Sequence, residues 1–479
     1  MNFKMIRYLI GWILKIVAGF MAVPIITSII YKEKVGLVYL GCALLYAFIG
    51  ALLSIKKVSN TNFFAKDGFV AVTLSWLVLG VIGALPFFIS GEIPHLVDAI
   101  FESFSGFTTT GATILTDVEA LSHTALMWRS FTHFIGGMGV LVFFLAILPS
   151  TGGQNMLLMK SESTGPSVGK LVPRIQDSAV YLYIIYVALT LIELVLLICF
   201  GMPVFDAICT AAGTAGTGGF GVKNASIGAY APSLQIIVTV FMILFSFCFT
   251  FYFLILMRRV KEAFAMEEIK YFVLIIVVAI ALVTFDIRNL YSSFGEALNL
   301  SSFQVASLMS STGFTTTDYE KWPAFSQFLL VMVSCIGACA GSTGGGIKVS
   351  RIVIYMRSIR LELERFIHPR SIRTLTMDKK AVPKDVMRQT NVYIMCYVVI
   401  ACLTGLIVSL DGFDFTTNLT SVLTTLNNTG PGLSVCGPSR NFSEFSYLSK
   451  VVLTWNMLVG RLEIYPVLIF FMPSTWRRK

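Results

Sequence analysis

An all-α polytopic membrane protein, built as two leading helices and four helix–loop–helix repeats, is the fold the sequence predicts, and three observations carry it. Of 479 residues, 56% are apolar and 13% charged, with a mean hydropathy of +0.79. A soluble globular chain carries about 25% charged residues, so this one lacks the charge to cover a water-facing surface of normal size. Ten apolar runs approach or exceed the roughly 20 residues that a helix needs to cross a bilayer. A short motif containing Thr-Gly recurs four times, each copy between two such runs. These features exclude most cytosolic enzyme folds, nucleic-acid binders and secreted disulfide scaffolds. The nine cysteines fall mostly within apolar runs, without a Cys-x-x-Cys pair, and read as small packing residues.

The expected spans run from about Ile6 to Ile30, Val35 to Ile55, Gly68 to Ile89, Arg129 to Pro149, Ser178 to Phe200, Ser233 to Met257, Tyr271 to Phe285, Phe325 to Ala340 with an extension, Asn391 to Leu410, and Tyr447 to Pro473. The first contains Pro24 and does not end in a small-residue cleavage site, so it reads as a retained helix. With the N-terminus placed in the cytoplasm, 25 Lys and Arg fall on inner connections and seven on outer ones. Acids lean outward and include Glu92, Asp98, Glu102, Asp117, Glu119, Asp318, Glu320, Asp411 and Asp414. By the positive-inside rule both termini are cytoplasmic, and the outer mouth is expected to be acidic.

Four outer connections share one form: an apolar or mixed stretch too short to cross, then Thr-Gly, then a return to the next span. They read DAIFESFSGFTTTGAT from Asp98, DAICTAAGTAGTGGF from Asp206, SFQVASLMSSTGFT from Ser302 and NLTSVLTTLNNTGPG from Asn418. Aligned on Thr-Gly, the glycines are Gly111, Gly218, Gly313 and Gly430. Repetition on this scale defines an architecture. Its expected divisions are 1–66 for the leading helices, 67–150 and 151–257 for the first two repeats, 258–389 for the third and 390–479 for the fourth.

A half-helix that stops inside the bilayer directs its negative dipole end and its last carbonyls there, which attracts a cation. Irregular backbone at that depth is tolerated only where protein buries it or a cavity receives it. Glycine can take the angles that turn successive carbonyls toward one axis. Four such loops around a pseudo-fourfold axis give rings of carbonyl oxygens able to replace the hydration shell of K⁺. The expected filter residues are Thr110, Gly111, Thr217, Gly218, Thr312, Gly313, Thr429 and Gly430, with K⁺ as the bound and permeant ion and no cofactor in the chain.

These loops, together with WRSFTHFIGGMG from Trp128, CAGSTGGGIK from Cys339 and GRLE from Gly460, resemble the Trk/Ktr/HKT superfamily of potassium transporters over the whole length, and most of all its bacterial TrkH/TrkG branch. The two extra N-terminal helices fit that branch better than the shorter Ktr-type subunit. His133 departs from the glutamine usual at that place. Some plant members carry serine for the first filter glycine and favour Na⁺; Gly111 here implies K⁺ selectivity. The resemblance further implies a bacterial inner-membrane location, a homodimer, and a soluble nucleotide-binding ring partner of the TrkA kind.

The tenth span holds Arg461 and Glu463. Charges within a bilayer are costly and default to a functional reading. Two positions apart on a helix cannot share a face, so one faces the pore and the other the bundle. The resemblance puts the arginine of GRLE in the permeation path, so Arg461 is expected to be a barrier and Glu463 a structural partner. The eighth span is broken at Gly341 to Gly346, since each glycine disfavours helix by about 1 kcal/mol relative to alanine. Gly341, Gly344, Gly345, Gly346 and Lys348 are therefore expected to form a gate with Arg461.

Two motifs mislead. Gly216-x-Gly218-x-x-Gly221 satisfies a dinucleotide pattern but has no preceding strand, and GSTGGGIK departs from a Walker A because Ile347 separates glycine from Lys348. His95, His123, His133 and His368 lie on different elements without ligand spacing. The basic stretch from Lys348 to Arg388 suits anionic lipid or a docked cytosolic regulator, and nucleic acid is not expected. Rival classes are an ion-coupled (H⁺ or Na⁺) secondary transporter, which predicts two halves and not four units, and an intramembrane enzyme. The second would need convergent acid, base or nucleophile groups, whereas the spans offer only Glu193 and Glu463, neither beside a histidine.

Overall fold

The computed structural model describes residues 1–56, 65–139, 175–369 and 373–477. The end of the fourth expected span, the 150/151 boundary and the inner-face cations Lys57, Lys160, Lys170, Arg174, Arg370, Arg478 and Lys479 lie outside the described residues.

The described residues are mostly helical. The leading part is α1 (Phe3–Phe20) running into α2 (Ala22–Tyr31), then α3 (Gly36–Ser54). Helix α1 packs on α3 so closely that a Cβ at Gly11 would meet the Gly50 carbonyl oxygen, the small-residue contact that lets membrane helices approach.

Four units follow. The first is α4 (Ala65–Ser90), the short α5 (Leu96–Phe107) and α6 (His123–Gly137); the second is α7 (Ile175–Cys199), short α8 (Val204–Gly216), α9 (Pro232–Ser246) and α10 (Phe249–Leu256). After α11 (Val260–Ala265), the third is α12 (Glu267–Ile287), short α13 (Phe294–Met309), α14 (Ala324–Ile336) and α15 (Val349–Ile367). A two-residue-per-strand hairpin, β1 (Thr376–Met377) against β2 (Lys380–Ala381), precedes the fourth: α16 (Lys384–Val408), short α17 (Phe415–Leu426), α18 (Tyr447–Arg461), α19 (Tyr465–Phe471) and α20 (Pro473–Trp476).

The short helices have 12, 13, 16 and 12 residues. At 1.5 Å per residue each covers about 18 to 24 Å, less than the roughly 30 Å hydrocarbon core. Each begins with an acid where the positive dipole end favours one: Asp98, Asp206 and Glu296 in the first turn, and Asp414 capping the Thr417 N–H.

Among the described residues six helices are long and apolar enough to cross a membrane. The continuous sixth and tenth spans expected from hydropathy are instead bent, by 89° between α9 and α10 and by 119° between α18 and α19. At the second bend Glu463 and Ile464 take φ of 57° and 68°, and Pro466 can only restart a helix, not continue one. The eighth span breaks earlier than expected: α14 stops at Ile336, and Gly337, at φ 75°, opens the break that Gly341–Gly346 extends. Helix α6 likewise stops at Gly137. All four second helices therefore end partway.

Two large apolar clusters hold the units. One joins the leading helices to units one and four through Trp76, Phe101, Phe107, Trp128, Leu453 and Leu458; the other joins units two and three through Val238, Phe272, Phe303, Phe314 and Trp322. The polar loops lie where the two clusters meet.

Candidate functional site

Each short helix ends in the same six-residue turn. The amide of Thr110, Gly218, Thr312 or Thr429 donates to the carbonyl five residues back, on Ser105, Gly213, Ser307 or Thr424, at 2.8 to 2.9 Å. The preceding residue, Thr109, Thr217, Ser311 or Asn428, is left-handed at φ 52° to 60° and donates to the carbonyl three back. This is a Schellman closure with a polar residue where glycine is usual. The turn occupies two carbonyls at each helix end, so the dipole arriving at mid-depth rests on fewer bare carbonyls than the sequence suggested.

Two residues after the left-handed one comes a second left-handed position: Gly111 (φ 78°), Gly219 (φ 80°), Gly313 (φ 83°) and Gly430 (φ 88°). Both hydrogen bonds and dihedrals put Gly219, not Gly218, in register with the other three. Gly218 takes the place that Thr110, Thr312 and Thr429 fill elsewhere, and Thr217 the place of Thr109. The sequence held the signal. The tripeptide Asp-Ala-Ile starts both of the first two stretches, at Asp98 and Asp206, and the same count from each reaches Gly111 and Gly219.

The four loops touch in cyclic order. A Cβ at Gly111 would strike the Gly218 carbonyl oxygen, at Gly219 that of Thr312, at Gly313 that of Thr429, and at Gly430 that of Thr110. Only glycine permits this approach, and the four contacts close a ring of backbone carbonyls. Asn428 adds a side-chain tie, its Nδ2 donating to Thr110 Oγ1 at 2.9 Å and to the Met457 carbonyl at 2.8 Å.

The side of the ring away from Arg461 opens on a cavity of about 150 Å³, lined by Gly111, Gly219, Gly313 and Gly430 together with Arg129, Lys223 and Arg440. Its lining differs from the acidic mouth expected from charge counts. The acids expected at the mouth are paired: Asp98 with Lys450 at 2.7 Å, Asp206 with Tyr230 at 2.8 Å, Glu119 with Lys223 at 3.6 Å, and Glu102 in a buried pair with Arg129 at 2.6 Å.

His133, on α6, bridges the first two loops. Its Nε2 accepts from the Phe220 N–H at 3.2 Å, so the proton sits on Nδ1, which donates to the Gly106 carbonyl at 2.8 Å. A neutral imidazole is the form that meets both demands.

Arg461 ends α18 on the other side of the ring. Its guanidinium donates to Thr109 Oγ1 at 3.3 Å, to the Thr343 carbonyl at 2.9 Å, and to the Gly136 and Gly137 carbonyls, the last at 2.7 Å. Glu463 pairs with Arg351 on α15. The two charges do face apart, but the left-handed backbone after Arg461 separates them, not helical phase.

The glycine break passes directly beneath the third and fourth loops. A Cβ at Gly344 would meet the Ser310 carbonyl and at Gly345 the Asn427 carbonyl; the Gly345 N–H donates to Ser311 Oγ at 2.5 Å and the Gly346 N–H to the Asn427 carbonyl at 3.0 Å. Gly341 accepts from the Phe249 N–H at 3.0 Å. Lys348 turns back to its own loop and donates to the Gly344 carbonyl. Glu268 on α12 receives the Ala340 and Ser350 amides at 2.7 and 3.1 Å. Arg461 and the glycine run lie side by side, joined at Thr343, while Gly219 and Glu268 were not among the residues expected from the sequence; nothing in the linear spacing marks Glu268.

A family profile described as TrkH, cation transport protein, matches residues 37–478. The chain is 36% identical over 486 residues to the Trk system potassium uptake protein TrkH of Salmonella typhimurium, with all of both chains covered. It is 32% identical over 485 residues to TrkG of Escherichia coli, with 99% of each covered. The crystal structure of the potassium transporter TrkH from Vibrio parahaemolyticus superposes with a TM-score of 0.89 at 32% identity over 100% of both chains.

Proposed function

The chain belongs to the TrkH cation transport family, and on that premise we propose that it is the pore subunit of a potassium uptake system. K⁺ sheds water into the carbonyls of the four loops, at Thr110, Gly111, Thr217, Gly218, Gly219, Thr312, Gly313, Thr429 and Gly430, and then meets a gate built from Arg461 and the Gly341–Gly346 loop. The observation that carries the reading is the cyclic contact of glycine with carbonyl from loop to loop, which is what a fourfold desolvating ring requires. The names of the relatives, potassium uptake proteins, set the ion.

Arg461 is a fixed cation just inside the ring, hydrogen-bonded to both the first loop and the glycine break. A cation there repels K⁺, and its donors are held by the Thr343, Gly136 and Gly137 carbonyls, so displacing the break or the guanidinium lowers the barrier. Lys348 belongs to the same device by closing the glycine loop on itself. No cofactor is proposed. The working form is a homodimer in a bacterial inner membrane with both termini cytoplasmic, bound to a nucleotide-sensing ring of the TrkA kind, with basic residues of α15 at the lipid or regulator side.

Coupling of K⁺ to H⁺ or Na⁺ is the second reading, favoured by Glu193, a fully buried carboxyl in α7. Expression in a cell deficient in K⁺ uptake decides the main reading: growth at low potassium supports it, and no growth with the ring partner co-expressed overturns it. External pH or Na⁺ dependence of that growth separates the second reading from the first.

A further inference from the structure

The junction between the first and second loops is held by two stacked side-chain rungs. On α6, Arg129 and His133 are one turn apart and both reach across it. Arg129 Nε donates to Glu102 Oε1 on α5 at 2.6 Å, its Nη1 donates to the Gly221 carbonyl at 3.0 Å, and its guanidinium lies 3.7 Å from the centre of the Phe220 ring. His133 makes the second rung, from the Gly106 carbonyl to the Phe220 amide. Glu102 and Gly106 are also one turn apart on α5, so the rungs stack.

Glu102 does more than pair. Its carboxylate accepts from Thr113 Oγ1 at 2.9 Å and from the Ile114 amide at 3.0 Å, two and three residues past Gly111. It is 1% exposed and Arg129 2%. Counted from the first residue of each second helix, the position of Arg129 is taken by Val238, Leu330 and Leu453 in the other units, all buried among apolar neighbours. A second pair, Asp98 with Lys450 at 2.7 Å, joins α5 to α18, but of the two the Glu102–Arg129 pair is the one that also holds loop groups, at Thr113, Ile114 and Gly221, a costly choice if packing alone were needed.

We infer that Glu102 and Arg129 are positioning residues for ion selection: they fix the outer end of the first loop against the second, so that the carbonyls around Gly111 and Gly218 keep their separation. This rests on the pore reading above. Charge assistance makes these bonds shorter and stronger than neutral ones, and both residues hold backbone groups beside the ring, Glu102 the Ile114 amide and Arg129 the Gly221 carbonyl.

The test is the preference for Rb⁺ over Na⁺ in proteoliposomes, measured by competition, for wild type, Glu102→Gln, Thr113→Val and Glu33→Gln. Glu102→Gln keeps the shape and one acceptor but loses the charge that holds Arg129, and it is expected to lower the preference about tenfold; Thr113→Val, which leaves the ion pair intact, lowers it about threefold. Glu33 also binds the start of α6, through His123 and Thr124, yet lies outside the loops, so Glu33→Gln is expected to leave the preference unchanged while lowering thermal stability. Unchanged preference in Thr113→Val and in folded Glu102→Gln overturns the inference, and if Glu102→Gln does not fold, Thr113→Val decides alone. A change equal in all three variants overturns it too, because it would report general loosening. Absence of flux in wild type would instead defeat the pore reading.

Discussion

Arg461 Nη1 stands 2.9 Å from the carbonyl oxygen of Thr343, which makes the cation at the end of α18 and the glycine break after α14 one hydrogen-bonded object. The same guanidinium reaches Thr109 in the first loop, so the loop ring and the glycine break share a side chain. Replacement Arg461→Ala is expected to raise Rb⁺ flux several-fold in reconstituted protein that remains monodisperse. Arg461→Lys should fall between, since an ammonium keeps the charge but lacks the planar fork that serves several carbonyls at once. Reduced flux in well-folded Arg461→Ala would count against the barrier.

The shifted register of the second loop makes a sharp claim. Gly219→Ser should alter the K⁺ to Na⁺ permeability ratio as Gly111→Ser does, because both place a side chain at a left-handed position against a carbonyl of the next loop. Left-handed backbone costs an L-residue roughly 1–2 kcal/mol before any clash. Gly218→Ser meets the His133 ring instead, and pairing it with His133→Ala should restore expression. Permeability ratios for the three serine variants check this; an effect at Gly218 like that at Gly111, with Gly219 silent, would return the register to the Thr-Gly alignment.

Arg351 and Glu463 tie the bend after α18 to the first turn of α15, and Arg351 also lies 4.0 Å over the Tyr393 ring. Removing one member of a pair this buried leaves a charge without its counter-ion, so Glu463→Gln is expected to lower stability by about 3 kcal/mol. Replacing both members with methionine should recover most of that loss. Thermal unfolding in detergent reads it, and equal stability of wild type and Glu463→Gln would refute it.

Glu33, in the connection between α2 and α3, accepts from the amides of His123 and Thr124 at 2.9 Å and from Thr124 Oγ1 at 2.6 Å. Burial pushes its carboxyl up, but these hydrogen bonds outweigh burial and hold it below the usual carboxylate range. A depressed folded-state value contributes stability above the unfolded pKa of about 4.3, lost as pH falls through the folded value. Wild type should therefore melt higher than Glu33→Gln at pH 7, with the gap closing as pH is lowered below about 4. A gap that widens on acidification would reverse the sign.

Much of this was legible in the residues. Hydropathy located the six continuous spans among the described residues because bilayer thickness is a length rule, and the repeated Thr-Gly turns marked the loops because glycine is required where carbonyls approach. Less legible were the endings. In the apolar run from Tyr447, Pro466 signals a break that hydropathy does not register, and the 119° bend at Glu463 and Ile464 is held by tertiary contacts such as Arg351. The outer charges misled for a related reason: the charge count assigns Glu102 to the outer face and Arg129 to a span, whereas folding pairs them with each other beside the ring.

Uptake of radioactive Rb⁺ into proteoliposomes holding the purified chain, with unlabelled K⁺ or Na⁺ as competitor, tests the central claim most directly. A selective ring predicts uptake that K⁺ suppresses at far lower concentration than Na⁺, and that selectivity falls in Gly111→Ser. Uptake suppressed equally by both ions, or none with the regulatory partner present, would contradict it.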